Sequence, residues 1–574
     1  MKYNNIILYI SSVLLFFGCG EDFLDRRPLD RVGQSDYFKT PEDLATYMNQ
    51  FYNNASFPTV PSYGLDYDSD NAVAKNFNAI LAGTRTLDGA GGIGFGRVRN
   101  INYFFDNYHS VKENHTLDEY KQYLGEAHFF RAISYYTLLQ NWGDIQWFST
   151  VPGTESDELY RQRDPRNFVA DKIIQDLDTA ALYLQSARTD GVSRINKWMA
   201  LLIQSRVALY EGTWEKYHNG TPFGVANAQP EKYLNKAVEA ASQVMESGIY
   251  ELYSTGSPET DYYDLFSTHR DYSSNSEVLF WKRFDNELGK GEAAFRTEVN
   301  FRGRTPNERS PTKELADYYL SADGLPITVS PLFQGHQTLV DEATDRDPRF
   351  YQTIGVPGYP WVITATGEVT NYDALYNILN QGIEQNSPGG YVLRKGYDSR
   401  EIYQVPQYEE TPEIIYRYGE VLLNFAEAKA ELGNITQADL DKSINLLRSR
   451  VGMPPLVISE IVVDPAWEFP DLSPIINEVR RERRIELAFE GFRFDDIMRW
   501  AAADELIVGK RPRGFRAAQV NENPYPVDEQ GFLDPYRESL PGGYGFRLNR
   551  DYLNAIPKAQ LELNPNLVQN PGWQ

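Results

Sequence analysis

Cysteine is almost absent: Cys19 is the single one among 574 residues, which excludes a disulfide within the chain and any thiolate-rich metal site. Basic charge is also scarce. Lys and Arg total 56 against 80 Asp and Glu, a net charge of −24, so phosphate backbones and anionic lipid surfaces are repelled and nucleic acid is a poor partner. The six histidines, at 109, 115, 128, 218, 269 and 336, contain no H-x-x-x-H pair, which removes the commonest spacing for a transition metal. Beyond the first 18 residues no apolar run approaches the ~20 residues that a spanning helix needs.

The start of the chain has a pattern of its own. Lys2 precedes an apolar stretch over 6–17, and Gly18-Cys19 comes next. That layout predicts a signal peptide over 1–18, too short to span a bilayer, whose removal leaves Cys19 at the new N-terminus. Phe16 and Phe17 stand where a lipobox more usually has Leu and a small residue. A lone thiol in that place is expected to be consumed by acylation. Each buried CH₂ contributes about 0.8 kcal/mol, so two or three acyl chains make a lasting membrane anchor. Residues 19–36, short and charged, read as a lipidated tether.

Helical periodicity takes over beyond the tether. Thr40-Pro41-Glu42-Asp43 is a helix start, with a cap, Pro at the first position and acids in the first turn, and predicts a helix to about Asn53. Residues 55–96 are Gly-, Asp- and Asn-rich and irregular. From 97 to 248 apolar residues recur at helical spacing: Phe129, Ala132, Ile133, Tyr136 and Leu139 within 123–142, then Trp198, Leu201, Leu202, Ala208 and Leu209 within 197–212, then Tyr233, Ala237, Ala240, Ala241 and Val244. Gly212 and Gly248 are expected to stop helices. A later pair carries Tyr418, Val421, Leu422, Phe425, Ala428 and Leu432, a turn at Gly433-Asn434, then Leu440, Ile444 and Leu447. Such pairs resemble degenerate tetratricopeptide repeats. Between them 250–411 is rich in Pro and Gly, with strand-like runs at 277–281 and 390–394.

The expected fold is therefore mostly α: tetratricopeptide-like helix pairs forming a solenoid scaffold, with a loop-rich insertion and a few short strands. The expected organisation is an N-terminal helical region over 37–249 and a C-terminal region over 250–574. The latter is loop-rich over 250–411, helical over 412–500 and irregular thereafter.

Four blocks, in order and spacing, carry a resemblance. They are Gly125-Glu126-Ala127-His128-Phe129-Phe130-Arg131-Ala132 through Trp142-Gly143-Asp144; Arg417-Tyr418-Gly419-Glu420-Val421-Leu422-Leu423-Asn424-Phe425-Ala426-Glu427-Ala428; Glu482-Arg483-Arg484-Ile485-Glu486-Leu487-Ala488-Phe489-Glu490-Gly491-Phe492-Arg493-Phe494-Asp495-Asp496; and Ala555-Ile556-Pro557-Lys558 to Asn570-Pro571-Gly572. Together they resemble the SusD/RagB-like outer-membrane lipoproteins. His128, Phe130, Gly419 and Phe492 depart from the residues frequent there, as changes in helix packing. The resemblance implies tetratricopeptide-like pairs behind a loop-rich binding face, residence on the surface of Bacteroidota, and a SusC-like TonB-dependent barrel as partner. It implies an oligosaccharide, or in some relatives a peptide, as ligand.

Residue chemistry is weighed beside it. The run Arg480-Arg481-Glu482-Arg483-Arg484-Ile485-Glu486 reads as a structural ion-pair helix, with Ile485, Ala488, Phe489 and Phe492 as its apolar stripe. Asp66, Asp68 and Asp70 alternate as Ca²⁺ ligands can, but without the Gly and terminal Glu of an EF-hand loop, so a hydrogen-bonded turn is the better reading and no cofactor is expected. The glycines of 89–96 lack the strand and Lys-Ser/Thr of a phosphate cradle. No motif singles out two carboxylates for glycoside hydrolysis, so no catalytic residue is nominated.

Sugar capture needs aromatic faces and planar polar groups in loops. That rule selects Tyr63, Asp66, Tyr67, Asp68 and Asn71, then Tyr359 and Trp361, then Arg394 and Tyr397. The expected function is a surface glycan-binding lipoprotein that delivers oligosaccharide to the barrel. A secreted glycoside hydrolase, a ligand-free helical adaptor and peptide capture are the rivals.

Overall fold

The structure is a computed structural model that describes residues 37–53, 56–57, 66, 69–289, 310–379, 388–404, 410–520 and 523–573. The expected signal peptide, Cys19 and the tether lie outside the described residues, as do Tyr63, Tyr67 and Asp68.

Helix α1 (Pro41–Asn49) opens as predicted. The Asp43 amide donates to Thr40 Oγ1 at 3.2 Å and the Thr40 amide donates to Asp43 Oδ2 at 2.9 Å, a reciprocal cap. It ends before Asn53 because the Phe51 and Tyr52 amides tighten onto Met48 and Asn49. That turn buries Phe51 against Phe130, ring centroids 5.6 Å apart. A two-residue strand β1 (Ala72–Val73) interrupts the irregular stretch.

Helices α2 (Gly96–Asn107), α3 (Leu117–Trp142), α4 (Arg166–Tyr183), α5 (Lys197–Tyr217) and α6 (Pro230–Glu246) then pack neighbour on neighbour. Their close approaches fall at glycines. A Cβ on Gly125 would sit 2.8 Å from Leu184 Cγ. Gly212 does not stop α5, which continues to Tyr217. It is where α6 crosses, and a Cβ there would lie 2.9 Å from Leu234 Cγ. Gly248, at φ +64°, does follow the end of α6.

The strands form three two-stranded pieces. Strand β2 (Val278–Lys282) pairs antiparallel with β6 (Glu413–Arg417), setting Trp281 opposite Ile414. Strand β3 (Ser310–Pro311) pairs with β1, and β4 (Pro360–Ile363) with β5 (Val369–Asn371). The run at 390–394 is not a strand; only Leu393 bridges, to Ile354. Gly390 takes φ +80°, and a Cβ there would overlap the Phe515 ring, so the chain bends at that point.

Helix α7 (Tyr418–Glu431) runs on from β6 and lies against α5 and α6, which joins the late helix pair to the early solenoid. The expected second helix of that pair is two short ones, Gln437–Asp441 and Ile444–Arg450. Helix α8 (Pro474–Glu486) is the charged run, and every residue from Asn477 to Glu486 is buried. Ile485, Ala488 and Phe489 do enter the core, but α8 ends before the last two, and Phe489 turns the chain with φ +63°.

Almost all of the ionic partners of α8 come from other elements. Arg480 meets Glu431 at 3.0 Å, Arg481 meets Asp464 at 2.6 Å, and Arg483 meets Asp496 at 2.9 Å on the next helix, α9 (Arg493–Arg499). Glu482 takes Arg349 at 2.6 Å and Arg448 at 2.9 Å. A buried charge is tolerable only when its bonds are filled, and this helix fills them from all sides.

Candidate functional site

The early-loop residues belong to that ionic core. Asp66, 1 % exposed, accepts from Asn71 Nδ2 at 2.8 Å and from the Phe489 and Gly491 amides at 2.7 and 3.0 Å. Burial raises its carboxyl, and those three donors work against the rise. Asn71 Oδ1 accepts from Arg484 Nε at 2.7 Å. Asp70 pairs with Arg493 at 2.7 Å and with Arg484 at 3.1 Å; burial opposes ionisation there, but the two guanidiniums hold the carboxyl well below its ordinary range. Asp66 and Asn71 therefore clamp the loop to α8, with no face turned toward a ligand. Among the described residues no group of three or more His, Cys, Asp and Glu is arranged to hold a metal.

The other nominated residues do come together. Arg394, 5 % exposed, lies over the rings of Tyr263 and Tyr359 at 4.2 and 4.9 Å and donates to the Tyr351 carbonyl at 2.6 Å. Tyr359 stacks on Tyr351, centroids 4.8 Å apart and planes 17° apart. Trp361 and Tyr397 are buried in a small cluster with Tyr372 and Val392. Arg394, Trp361 and Tyr397 are loop residues as the rule requires, but they are buried beside the β4–β5 hairpin. Of the set, only Tyr359 keeps a half-exposed ring.

An open cleft of about 610 Å³ lies elsewhere, along the outer side of α8. Its floor is Arg481 and Arg484, already paired, and its walls come from residues 314–328, 464–468 and the C-terminal segment. Trp467 lines it half-exposed, fixed by its indole N–H to Glu478 at 3.1 Å. Across the cleft Arg513 bonds Glu314 at 2.8 Å and Gln530 at 3.2 Å, and Arg511 bonds Asp534 at 2.8 Å. Guanidinium, carboxylate and carboxamide planes beside one available indole are the groups that hold hydroxyl pairs and stack on sugar rings.

Trp467 is not among the residues selected from the sequence, though the signal is there. It sits in a loop between Pro465 and Pro470, where the same loop-aromatic rule applies. Six of the nine tryptophans are buried, and the ring of half-exposed Trp147 is covered by Tyr135 at 4.1 Å.

Comparison with known proteins agrees with this architecture. A relative in Formosa agariphila, SusD-like protein P25, is 21% identical over 602 aligned positions covering 99% of this chain and 98% of its own. A Bacteroides fragilis structure described as a SusD-like carbohydrate binding protein superposes with TM-score 0.69 at 23% identity, covering 92% of this chain and 99% of its own. A further solved structure, whose description includes a xylogluco-oligosaccharide, gives TM-score 0.60 at 19% identity over 91% of this chain and 97% of its own. A family model described as "Starch-binding associating with outer membrane" matches residues 22–209. With the SusD family model matching residues 272–573, behind a scaffold of paired helices and a buried arginine helix, the chain belongs to the SusD family.

Proposed function

We propose that the protein is a lipid-anchored, surface-exposed glycan-binding protein of the outer membrane, which captures oligosaccharides without cleaving them and passes them to a SusC-like TonB-dependent barrel. Membership of the SusD family across both halves of the chain carries this reading. A relative named as carbohydrate binding and another whose description includes a xylogluco-oligosaccharide support the ligand class. The cleft beside Trp467 supplies chemistry of the right kind: planar hydrogen-bonding groups fixed by their own ion pairs, and an indole with surface to offer. Capture of this kind is non-covalent and needs no cofactor.

Titration of the purified protein with a panel of plant and algal oligosaccharides by calorimetry, with a parallel assay for new reducing ends, tests the reading. Binding to at least one glycan class is expected, with no new reducing ends. Trp467→Ala is expected to weaken that binding about tenfold, the loss of one stacking platform. Sustained release of reducing ends would identify a hydrolase instead. Silence with every glycan, alongside retained association with a barrel, would identify an adaptor.

A further inference from the structure

A second opening lies away from the cleft and shares no lining residue with it. It is a cavity of about 260 Å³ bounded by α3, α5, β6 and α9, with Ser56 and the exposed Thr137 at its rim. Arg483 of α8 reaches this cavity, whereas Arg481 and Arg484 of the same helix floor the cleft. A single bridging water needs a share of about 30 Å³, so the space far exceeds one structural water.

The polar groups facing it are incompletely bonded. Tyr136 and Tyr210 are 8 % and 3 % exposed, their rings set edge to face at 5.6 Å, and neither hydroxyl has a hydrogen-bond partner among the described residues. Asp495 accepts from Gln140 Nε2 at 2.7 Å on one oxygen and has no second partner there. These oxygens open into the cavity, where water or a ligand can complete their bonds.

Most full charges lining the cavity are paired. Arg206 grips Glu420 through two bonds at 2.6 and 2.7 Å, and Arg499 grips Glu427 and Asp496. That removes any strong preference for an ion. The remaining wall is formed by Ile133, Ile203, Ile415 and the half-exposed ring of Phe492, over which Arg206 lies at 5.1 Å. One apolar face and a rim of unmet hydroxyl-type donors and acceptors match a ring that has a C–H face and hydroxyl edges.

We propose that this cavity is a second binding site, for one neutral polyhydroxylated ring of monosaccharide size, held by the Tyr136 and Tyr210 hydroxyls and the Asp495 carboxyl against Phe492. It does not depend on the Trp467 cleft binding longer chains.

Saturation-transfer NMR and calorimetry with D-glucose, D-galactose, D-xylose, L-arabinose and myo-inositol test it on the full soluble chain. At least one is expected to bind in the millimolar range or tighter. Tyr136→Phe and Tyr210→Phe, which each remove one oxygen and leave the packing volume, are expected to weaken that binding about tenfold each, with unfolding midpoints unchanged. Trp467→Ala is expected to leave it as it was. No binding by any of the five probes, binding unaffected by both Phe variants, or a soaked crystal showing only water between Tyr136, Tyr210 and Asp495 would each overturn the proposal.

Discussion

Asp495 is held by one hydrogen bond among the described residues, from Gln140, and faces a cavity lined by both charged and apolar side chains. Burial, with Asp496 close by, lifts its carboxyl from 3.8 to about 6. The folded value lies above the unfolded one, so the sign is the reverse of the usual carboxylate. Below pH ~4 the group is protonated in both states and costs nothing; as pH rises from ~4 to ~6 the unfolded chain ionises first and stability falls, levelling above ~6. Asp495→Asn is therefore expected to match the parent at pH 4 and to exceed it by about 2–3 kcal/mol at pH 7.5. Guanidinium unfolding at pH 4, 5.5 and 7.5 checks this; an offset that does not change with pH would contradict it. At the same scale, the types of residue in the candidate sites are legible in the sequence and their exposure is not. Arg394 and Trp361 are loop residues, as the rule requires, but contacts with Tyr263, Tyr359 and Tyr372 seal them. The contact between Arg394 and Tyr263 joins positions more than a hundred residues apart, beyond the reach of local pattern.

Elements show the same division between near and far. The cap of α1, the apolar stripes of α3, α5 and α6 and the turn at Gly248 depend on spacings of three to seven residues, and each is readable from the chain. Gly212 differs because a glycine that ends a helix and one that lets another helix approach look identical in sequence; Leu234 decides between them. Helix α8 is the extreme case. Its charges at helical spacing suggest partners along its own length, yet Glu486 accepts from Arg349 at 3.0 Å, Arg417 at 2.8 Å and Arg450 at 2.8 Å, on three other segments. Burial opposes its ionisation, but Arg450, Arg417 and Arg349 hold the carboxyl well below its ordinary range, so it stays charged at any pH short of strong acid. Glu486→Gln leaves those guanidiniums short of a counter-charge in the core and is expected to cost about 3–5 kcal/mol. Chemical denaturation should show a lower midpoint with unchanged slope. A loss under about 1 kcal/mol would mean that Glu277 and Glu490, which pair with Arg417 at 2.9 and 2.7 Å, and Glu482 carry the network without it.

At the scale of the whole molecule, the acidic balance and the start of the chain have to be explained together. A chain with net charge −24 is repelled by an anionic membrane surface, and among the described residues no helix is long and apolar enough to cross a membrane. In the proposed role, attachment comes from an acylated Cys19 and the 19–36 tether. On that reading, anchoring to the membrane that holds the barrel makes each encounter with it a local one, at a raised effective concentration. Cys19→Ala is accordingly expected to keep the unfolding midpoint and glycan affinity of the parent while moving the protein from the membrane pellet to the soluble fraction. The fractionation belongs in cells lacking the barrel, because a strong barrel interface would retain the variant by another route. In cells that have the barrel, the variant should co-purify with it less than the parent does, by a factor that reports the effective concentration directly. Full membrane retention without the barrel would place the anchor elsewhere in the chain.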